Sequence, residues 1–152
     1  MIGLIGYVGT RDLASVREAD ARSLNVINIA FALVENGDVV WAHPECKDAL
    51  TRLRSLNPEL KILISVGGWA AGGFSEAAFT EEGRQRFADT AMGIIKEYGL
   101  DGVDIDWEYP CFSVAEIQGR PEDKENFTLL LKKLRETLDQ EETGRYLLSA
   151  AV

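Results

Sequence analysis

The sequence predicts an α/β protein with a parallel sheet, in which strands and helices alternate along the chain. Short apolar runs rich in β-branched residues begin near positions 2, 26, 61, 101 and 146. A segment with helical spacing of apolar residues follows each run except the last, which is the pattern of repeated strand–helix units. The length of 152 residues is enough for one domain with a core. Both an open doubly wound sheet and a (β/α)8 barrel fit this pattern.

The first half of the chain predicts two strands, a hairpin and two helices. In order they are strand 2–8, helix 11–23, strand 26–34, a turn at 36–38 that closes a hairpin with 39–41, and a helix whose apolar face is Ala49, Leu50, Leu53 and Leu56. The Asn-Gly-Asp run is typical of a hairpin turn. Asn57-Pro58 ends the second helix, because the residue before a proline disfavours helical geometry.

The second half predicts three strands and two helices. In order they are strand 61–66, helix 80–98, strand 102–107, helix 121–138 and strand 146–152. Thr80 is the expected N-cap of the longer first helix, and Gly99 is expected to end it. The second helix has an apolar stripe formed by Phe127, Leu130, Leu131, Leu134 and Leu138.

Two absent motifs and the last strand bear on the architecture. The turn after the first strand does not match the G-x-G-x-x-G of dinucleotide-binding folds, and the chain contains no G-x-x-x-x-G-K-[ST]. The final residues, 147–152, lie within an apolar strand. A barrel of eight strand–helix units typically needs about 200 residues or more. We therefore expect a partial barrel, about strands 1 to 5, from the N-terminal portion (residues 1–152) of a single longer domain.

Composition and charge exclude several classes of partner. The chain has 16 Lys and Arg against 25 Asp and Glu, a net charge of −9. A general nucleic-acid binder usually presents a basic face, and anionic lipid also attracts basic surfaces. No apolar run approaches the roughly 18–20 residues of a membrane span. We expect neither nucleic acid nor a membrane as partner, and no signal peptide is visible, which leaves localisation open.

The strongest chemical signal is a row of acidic residues in the fourth long strand. Asp104, Asp106 and Glu108 alternate with apolar residues, so they share one face of the strand at about 6.5–7 Å spacing. Three carboxylates on a barrel interior favour shared protons and at least one raised pKa. Glu108 is at the carboxyl end of the strand, where barrel enzymes place catalytic groups.

Other interpretations of the acidic row stay open at this point. Acidic residues also occur on exposed edge strands, where they block pairing with other chains. Carboxylates also suit magnesium or calcium, although no EF-hand spacing or further ligand cluster is present. Cys46, Cys111 and His43 are too few and too dispersed for a zinc site, and a Ser-His-Asp triad would have to use His43. We expect no metal and no cofactor, and we expect both thiols to be free.

The row resembles a known family signature. Asp101-x-x-Asp104-x-Asp106-x-Glu108, followed by Tyr109-Pro110, is similar to the DxxDxDxE motif of glycoside hydrolase family 18, which includes chitinases and related endo-β-N-acetylglucosaminidases. The family's SxGG block is matched by Ser65-Val66-Gly67-Gly68. The strands with Gly6-Tyr7, Asn28-Ile29-Ala30-Phe31 and Leu148-Ser149-Ala150-Ala151-Val152 are also similar, so the resemblance spans essentially the whole chain.

The resemblance implies hydrolysis of β-1,4-linked N-acetylglucosamine polymers with retention, assisted by the substrate itself. Glu108 would be the general acid and then the base. Asp106 would orient the substrate's acetamide and stabilise the oxazolinium intermediate, and Asp104 would share a proton with Asp106. Asp101, whose position has the opposite strand parity, is better interpreted as structural support. The implied partner is chitin or an N-acetylglucosamine oligosaccharide.

The resemblance also implies substrate-binding residues. Tyr7 and Trp69 would line the sugar cleft. Phe31, Ser65, Gly68 and Tyr109 are assigned to substrate binding with them, and Gly67 is assigned to structural support. For the aromatic residues the alternative is core packing. We also expect Ser65 to hydrogen-bond within the carboxylate network, and Gly67 and Gly68 to allow close approach of backbone or ligand.

Three functional hypotheses follow. The first is a chitinase-like glycosidase of the endo-β-N-acetylglucosaminidase type. The second is a non-hydrolytic sugar-binding protein or inactive fragment on the same fold; inactive relatives usually lose the acid glutamate, which is retained here. The third is a half-barrel that self-associates through its open first and fifth strands. The family's Met-x-Tyr-Asp segment and a later tryptophan, which complete its sugar site, are not in these 152 residues.

Overall fold

The computed structural model describes residues 3–115 and 117–151. Ile2 and Val152, where the first predicted strand begins and the last one ends, lie outside the described residues. The strands are β1 Ile5–Gly9, β2 Val26–Glu35, β3 Asp38–Val40, β4 Lys61–Gly67, β5 Gly102–Asp106 and β6 Leu147–Ala150. The helices are a 3-10 helix Thr10–Ser15, α1 Glu18–Ser23, α2 Cys46–Leu56, α3 Phe74–Phe79, α4 Glu81–Tyr98 and α5 Asp123–Glu141.

The sheet topology favours the barrel over the doubly wound alternative. Five strands pair in parallel in the order β1-β2-β4-β5-β6, and β3 pairs antiparallel with β2 as the predicted hairpin. The order therefore follows the chain without reversal. A doubly wound sheet reverses its strand order at a switch point, and none occurs among the described strands.

The helices pack against one face of the sheet, and the buried core lies between the two layers. Alternate residues of β4 and β5, including Ile64, Val103 and Ile105, belong to the same buried cluster as the apolar faces of α2, α4 and α5. The ring of Phe74 stacks on Trp107, with centroids 5.3 Å apart. The opposite face of the sheet, here called the inner face, carries the side chains of the intervening strand residues.

The predicted end signals are confirmed for α4. Thr80 Oγ1 accepts a hydrogen bond from Gly83 N at 3.0 Å, and Gly99 ends α4 in a left-handed conformation. The hairpin turn is also confirmed, with positive φ at Asn36 and Gly37. Trp41 follows β3 as a buried residue whose ring contacts Tyr98.

The structure differs from the sequence-based elements most clearly in a divided helix, an additional helix and a shorter strand. The single helix predicted over 11–23 is a 3-10 helix and the short α1, because the backbone at Val16 and Arg17 is extended. The short helix α3 was not predicted, since its six residues give too few turns for a periodic pattern. β5 ends at Asp106 rather than Trp107, so Glu108 lies two residues beyond the strand.

Candidate active site

Three acidic side chains lie along and beyond β5. Since Val103 and Ile105 are buried in the helix-packed core, strand alternation directs Asp104 and Asp106 to the inner face. Glu108 follows at the carboxyl end of the sheet. β5 pairs with β4 on one side and β6 on the other, so the edge-strand interpretation of these carboxylates is wrong.

Asp104 accepts hydrogen bonds from three hydroxyl groups. Ser65 Oγ and Tyr7 Oη donate to Oδ2 at 2.7 and 2.8 Å, and Ser149 Oγ donates to Oδ1 at 2.6 Å. Two of these contacts follow from the sheet register, because Ser65 and Ser149 are the direct neighbours of Asp104 on β4 and β6. The three donors offset the desolvation of a carboxylate that is only 1% exposed. Proton sharing between Asp104 and Asp106 stays a prediction.

The pKa of Asp106 is raised above its usual range. Burial is the largest cause, and the negative charges of Glu108 and then Asp104 add to it. The raised pKa that is expected in the acidic row therefore falls on its middle member. Asp106 consequently takes up a proton more readily than an exposed aspartate does.

Tyr7 joins the edge strand β1 to this row. Burial and the hydrogen bond to Asp104 raise the pKa of the Tyr7 phenol to about 12. The phenol therefore stays protonated at neutral pH and remains available as a donor to Asp104. About half of the Tyr7 side chain, 51%, is still exposed on the inner face.

Two glycines allow the ends of β4 and β5 to approach each other closely. Gly67 and Gly68 both have positive φ angles. A Cβ at Gly67 would lie 2.1 Å from the backbone oxygen of Asp106, and one at Gly68 would lie 2.7 Å from the ring of Phe31. Gly68 N donates to that same Asp106 oxygen at 2.9 Å. The Asp106 backbone therefore lies against Gly67, and the ring of Phe31 lies against Gly68.

The aromatic residues assigned to substrate binding are exposed rather than packed in the core. Tyr7 and Phe31 lie within β1 and β2, whereas Trp69 and Tyr109 lie just beyond the carboxyl ends of β4 and β5. Trp69 is 65% exposed. The rings of Trp69 and Tyr109 meet edge to face with centroids 6.4 Å apart. A cavity of about 390 Å³ on the inner face includes Tyr7, Phe31 and Asp106 in its lining. The core-packing alternative is therefore wrong for these residues.

Tyr109 follows Glu108 directly and responds to its charge. The hydrogen bonding of the Tyr109 phenol with Glu108 and the negative charge of that carboxylate raise the pKa of Tyr109. Glu108 is half-buried. An acidic group with an adjacent phenol and exposed aromatic rings is thus present at the carboxyl end of the sheet.

Asp101 lies at the other end of β5. Its Oδ2 accepts hydrogen bonds from Arg54 Nη2 at 3.0 Å and from Ile62 N at 2.9 Å. These contacts attach α2 and β4 to the start of β5, at the opposite end from Glu108. Structural support remains the role we propose for Asp101.

Sequence reasoning assigned no individual role to Ser149 or Asn28, although both lie in strands that resemble the family. Ser149 stands alone as a polar residue in an apolar strand, and that isolation was the available signal. Asn28 lies on β2 beside Tyr7 and is 1% exposed, and its Oδ1 accepts no hydrogen bond within the described part of the chain.

The described residues hold no metal-binding cluster and no membrane-spanning helix. Within 3–115 and 117–151, no three His, Cys, Asp or Glu side chains are grouped so that they could hold a metal ion. His43 Nδ1 lies 2.8 Å from Glu45 Oε1. Cys46 and Cys111 are free thiols, as expected. None of the helices in these ranges is long and apolar enough to cross a membrane.

Comparison with known proteins places this geometry in a family. The family model described as "Glycosyl hydrolases family 18" matches residues 4–152. Chitinase A1 of Niallia circulans is 49% identical over 92 residues, which cover 59% of this chain and 13% of that protein. Chitinase B of Serratia marcescens is 34% identical over 146 residues, covering 85% of this chain and 27% of that protein.

Solved structures agree with the sequence relatives. The structure of a family 18 N-acetylglucosaminidase from Paenibacillus barengoltzii superposes with a TM-score of 0.91 at 47% identity, covering 98% of this chain and 45% of that one. The chain thus spans less than half the length of these relatives. The superposition confirms a partial (β/α)8 TIM barrel as the fold class. Family match, relatives and fold agree, and the chain belongs to glycosyl hydrolase family 18.

Proposed function

We propose that this chain is the N-terminal portion of the catalytic domain of a chitinase-like glycosidase, of the endo-β-N-acetylglucosaminidase type. Its substrate is chitin or a soluble β-1,4-linked N-acetylglucosamine oligosaccharide. The relatives named chitinase and N-acetylglucosaminidase support this substrate class. The reaction is hydrolysis with retention, in which the substrate's acetamide group replaces a second enzyme carboxylate as nucleophile.

One observation carries the proposal. Glu108 lies at the carboxyl end of the sheet next to Asp106, whose pKa burial and neighbouring charges raise, and Asp106 lines a cavity bordered by the exposed ring of Tyr7. Catalytic groups of barrel enzymes lie at this end of the strands. A carboxyl group beside a row of further carboxylates, open to a cleft with aromatic walls, suits acid catalysis on a sugar polymer.

Glu108 supplies and then recovers the proton. In the first step its carboxyl proton passes to the glycosidic oxygen as the bond from that oxygen to the anomeric carbon breaks. The substrate's acetamide oxygen forms a bond to the same carbon from the opposite face. In the second step Glu108, now a carboxylate, takes a proton from water, which attacks the anomeric carbon and breaks the acetamide bond. Each attack inverts the configuration of the anomeric carbon, so the product retains the configuration of the substrate.

Asp106 and Asp104 act on the intermediate between these steps. The acetamide attack gives a positively charged oxazolinium ring, which a carboxylate beside it stabilises electrostatically. Asp106 accepts a hydrogen bond from the acetamide N–H and so orients the acetamide group for attack. Asp104, held by its three hydroxyl donors, lies behind Asp106 and tunes its proton affinity.

Aromatic rings bind the sugar, and Gly68 lies beside one of them. Trp69 stacks on a pyranose face, and Tyr7, Phe31 and Tyr109 contribute to the walls of the cleft. Ser65 acts indirectly, since its hydroxyl donates to Asp104. Gly68 keeps the end of β4 free of a side chain against Phe31.

The experiment that tests the proposal is hydrolysis of a fluorogenic N-acetylglucosamine oligomer by the purified chain. We expect fluorophore release that Glu108→Gln abolishes, because glutamine cannot donate the proton. Removal of a general acid lowers the rate by about 100-fold to 10,000-fold. Glu59→Gln is the matched control, since Glu59 is exposed on the segment before β4, at the opposite end of the sheet.

Binding is measured in the same samples, by titrating tryptophan fluorescence with the unlabelled oligomer. Binding and release in the wild type, with binding alone in Glu108→Gln, support the hydrolytic assignment. A folded wild-type chain that neither binds nor hydrolyses the oligomer contradicts it. Binding without release in the wild type supports a sugar-binding role for this chain instead.

A further inference from the structure

A buried carboxylate outside the acidic row holds the loop that follows Glu108. Asp123, the first residue of α5, is fully buried. Its Oδ1 accepts a hydrogen bond from Ser75 Oγ at 2.7 Å. Its Oδ2 accepts from the backbone N–H of Arg120 at 2.7 Å and from that of Cys111 at 3.5 Å. Charge-assisted bonds of this kind are stronger than bonds between neutral groups.

The loop between β5 and α5 closes on this carboxylate from both ends. Cys111 lies near its start, and its Sγ donates to the backbone oxygen of Pro121 at 3.6 Å. Gly119 packs against the same region, where an added Cβ would lie 2.7 Å from Phe112 N. Phe112 N also donates to the backbone oxygen of Tyr109 at 3.3 Å. The chain that leaves Glu108 therefore folds back and is fixed at Asp123.

The same carboxylate joins this loop to the loop that follows β4. Ser75 belongs to α3, a few residues after Trp69. Arg120 strengthens the junction, because its guanidinium donates to the backbone oxygen of Ser75 at 3.1 Å and lies over the ring of Phe79 at 4.9 Å. The exposed ends of the two loops meet where the rings of Trp69 and Tyr109 touch.

We propose that Asp123 is a positioning residue for the reaction, which holds Glu108 and Tyr109 in register with Trp69 by fixing the β5–α5 loop to α3. The inference rests on the proposed function. Asp123 does not line the cavity beside Asp106, so it acts through the loop. A displacement of about 1 Å at a reacting group can lower a rate on the order of 100-fold.

The test compares Asp123→Ala with Asp123→Asn in the full chain. Asparagine can still accept from Arg120 N through its oxygen, and its amide can donate to the Ser75 hydroxyl, so it retains the two shortest contacts. Asp139→Ala is the matched control, because Asp139 lies near the other end of α5 and pairs there with Arg135 at 2.7 Å. Its loss removes a carboxylate from the same helix without touching the loop.

Three readouts separate positioning from general stability. Hydrogen exchange at the Cys111 and Arg120 amides is expected to accelerate at least about tenfold in Asp123→Ala and to stay unchanged in Asp139→Ala. The ultraviolet titration of Tyr109, identified by comparison with Tyr109→Phe, is expected to move toward the ordinary tyrosine pKa. With the fluorogenic oligomer, kcat is expected to fall on the order of 100-fold, with a smaller change in KM and recovery in Asp123→Asn.

Each outcome decides the inference. Faster exchange at these amides together with altered Tyr109 titration supports it, whether or not the wild-type chain hydrolyses the oligomer. Faster exchange with unchanged Tyr109 titration and unchanged kcat overturns it, since the loop then loosens without moving the site. Equal losses in Asp123→Ala and Asp139→Ala also overturn it. Failure of the proposed function is seen separately, as a wild-type chain that neither binds nor hydrolyses the oligomer.

Discussion

Ser149 on β6 donates to Asp104 Oδ1 at 2.6 Å, the shortest of the three hydroxyl contacts that this carboxylate receives. A buried carboxylate depends on such donors, because the interior offers no water to replace them. A single hydroxyl on the last strand therefore affects both the stability of the sheet and the charge beside Asp106.

We expect Ser149→Ala to lower the free energy of unfolding by about 1–3 kcal/mol, since it leaves one oxygen of Asp104 without its donor. Urea denaturation followed by circular dichroism measures the change. Ser149→Thr keeps the hydroxyl and is the matched control. If both variants lose the same stability, the hydroxyl is not the cause.

Asp106 gives a pH-dependent prediction. Burial raises its pKa in the folded chain, so the folded state binds this proton more tightly than the unfolded state does. The resulting stability is complete below the ordinary aspartate pKa and is lost as the pH rises through the raised value. Asp106→Asn resembles the protonated form, and we expect it to be more stable than wild type at neutral pH by on the order of 1 kcal/mol.

Denaturation midpoints measured across the acidic range test this prediction. Wild type and Asp106→Asn are expected to converge at low pH and to diverge as the pH rises. Under the proposed mechanism, hydrolysis of the fluorogenic oligomer is expected to fall on the order of 100-fold in the variant, because the positive intermediate would lose a charge partner. Asp89→Asn, at an exposed position on α4, serves as control. If Asp106→Asn is less stable than wild type at neutral pH, the prediction from the raised pKa of Asp106 is wrong.

At the scale of elements, the junction between β4 and β5 depends on the absence of a side chain at Gly67. The φ angle there is +119°, and a Cβ would lie 2.1 Å from the backbone oxygen of Asp106. A side chain would separate the two strands next to the middle carboxylate, so this glycine determines the geometry of the site as well as the end of the strand.

We expect Gly67→Ala to destabilise the chain by roughly 3 kcal/mol or more, through strain and separation of the strands. Gly93→Ala is the matched substitution. Gly93 is exposed in α4 with nothing within 4 Å of an added Cβ, so there alanine is expected to stabilise by up to about 1 kcal/mol. Thermal melting of both variants measures the difference, and similar effects at the two positions would refute the steric argument.

The sequence predicts best the helices that bury one face and expose the other. α4 and α5 have an apolar stripe, so the existence of both helices followed from periodicity. Thr80 and Gly99 supply explicit end signals for α4. The segment 11–23 failed because its apolar residues keep helical spacing while the backbone at Val16 and Arg17 is extended. Spacing alone does not detect such an interruption.

The site was predictable where its residues share one strand. Alternation within β5 placed Asp104 and Asp106 on one face without any knowledge of the neighbours. Ser149 and Asp123 were not found, because their contacts depend on register between strands and on how a loop folds. Those relations join residues 45 and 48 positions apart, which a local pattern does not encode.

At the scale of the whole molecule, the sheet has two outer strands. Each of β1 and β6 has one strand partner among the described residues. Each also exposes a large apolar side chain, since Ile5 of β1 is 50% exposed and Leu147 of β6 is 39% exposed. Unpaired strand edges beside exposed apolar surface favour pairing with another chain.

We expect the purified chain to self-associate through these edges, and light scattering to report a mass of about twice the monomer or more. Ile5→Lys is expected to reduce association, because an inward-pointing charge on an edge strand opposes pairing. Leu33→Lys is the matched control, since Leu33 is 45% exposed but lies in the β2–β3 hairpin. A wild-type monomer that melts cooperatively would contradict the expectation.

The hydroxyl groups around Asp104 also determine when the acidic row can reach its final form. Tyr7 precedes Asp104 by 97 residues and Ser149 follows it by 45. On the ribosome, the first donor emerges long before the carboxylate and the last donor long after it. Contacts of such long sequence separation form late. A nascent chain therefore carries Asp104 well before all three of its hydroxyl donors are present, and the hydrogen bonding of this carboxylate is completed only when synthesis has passed β6.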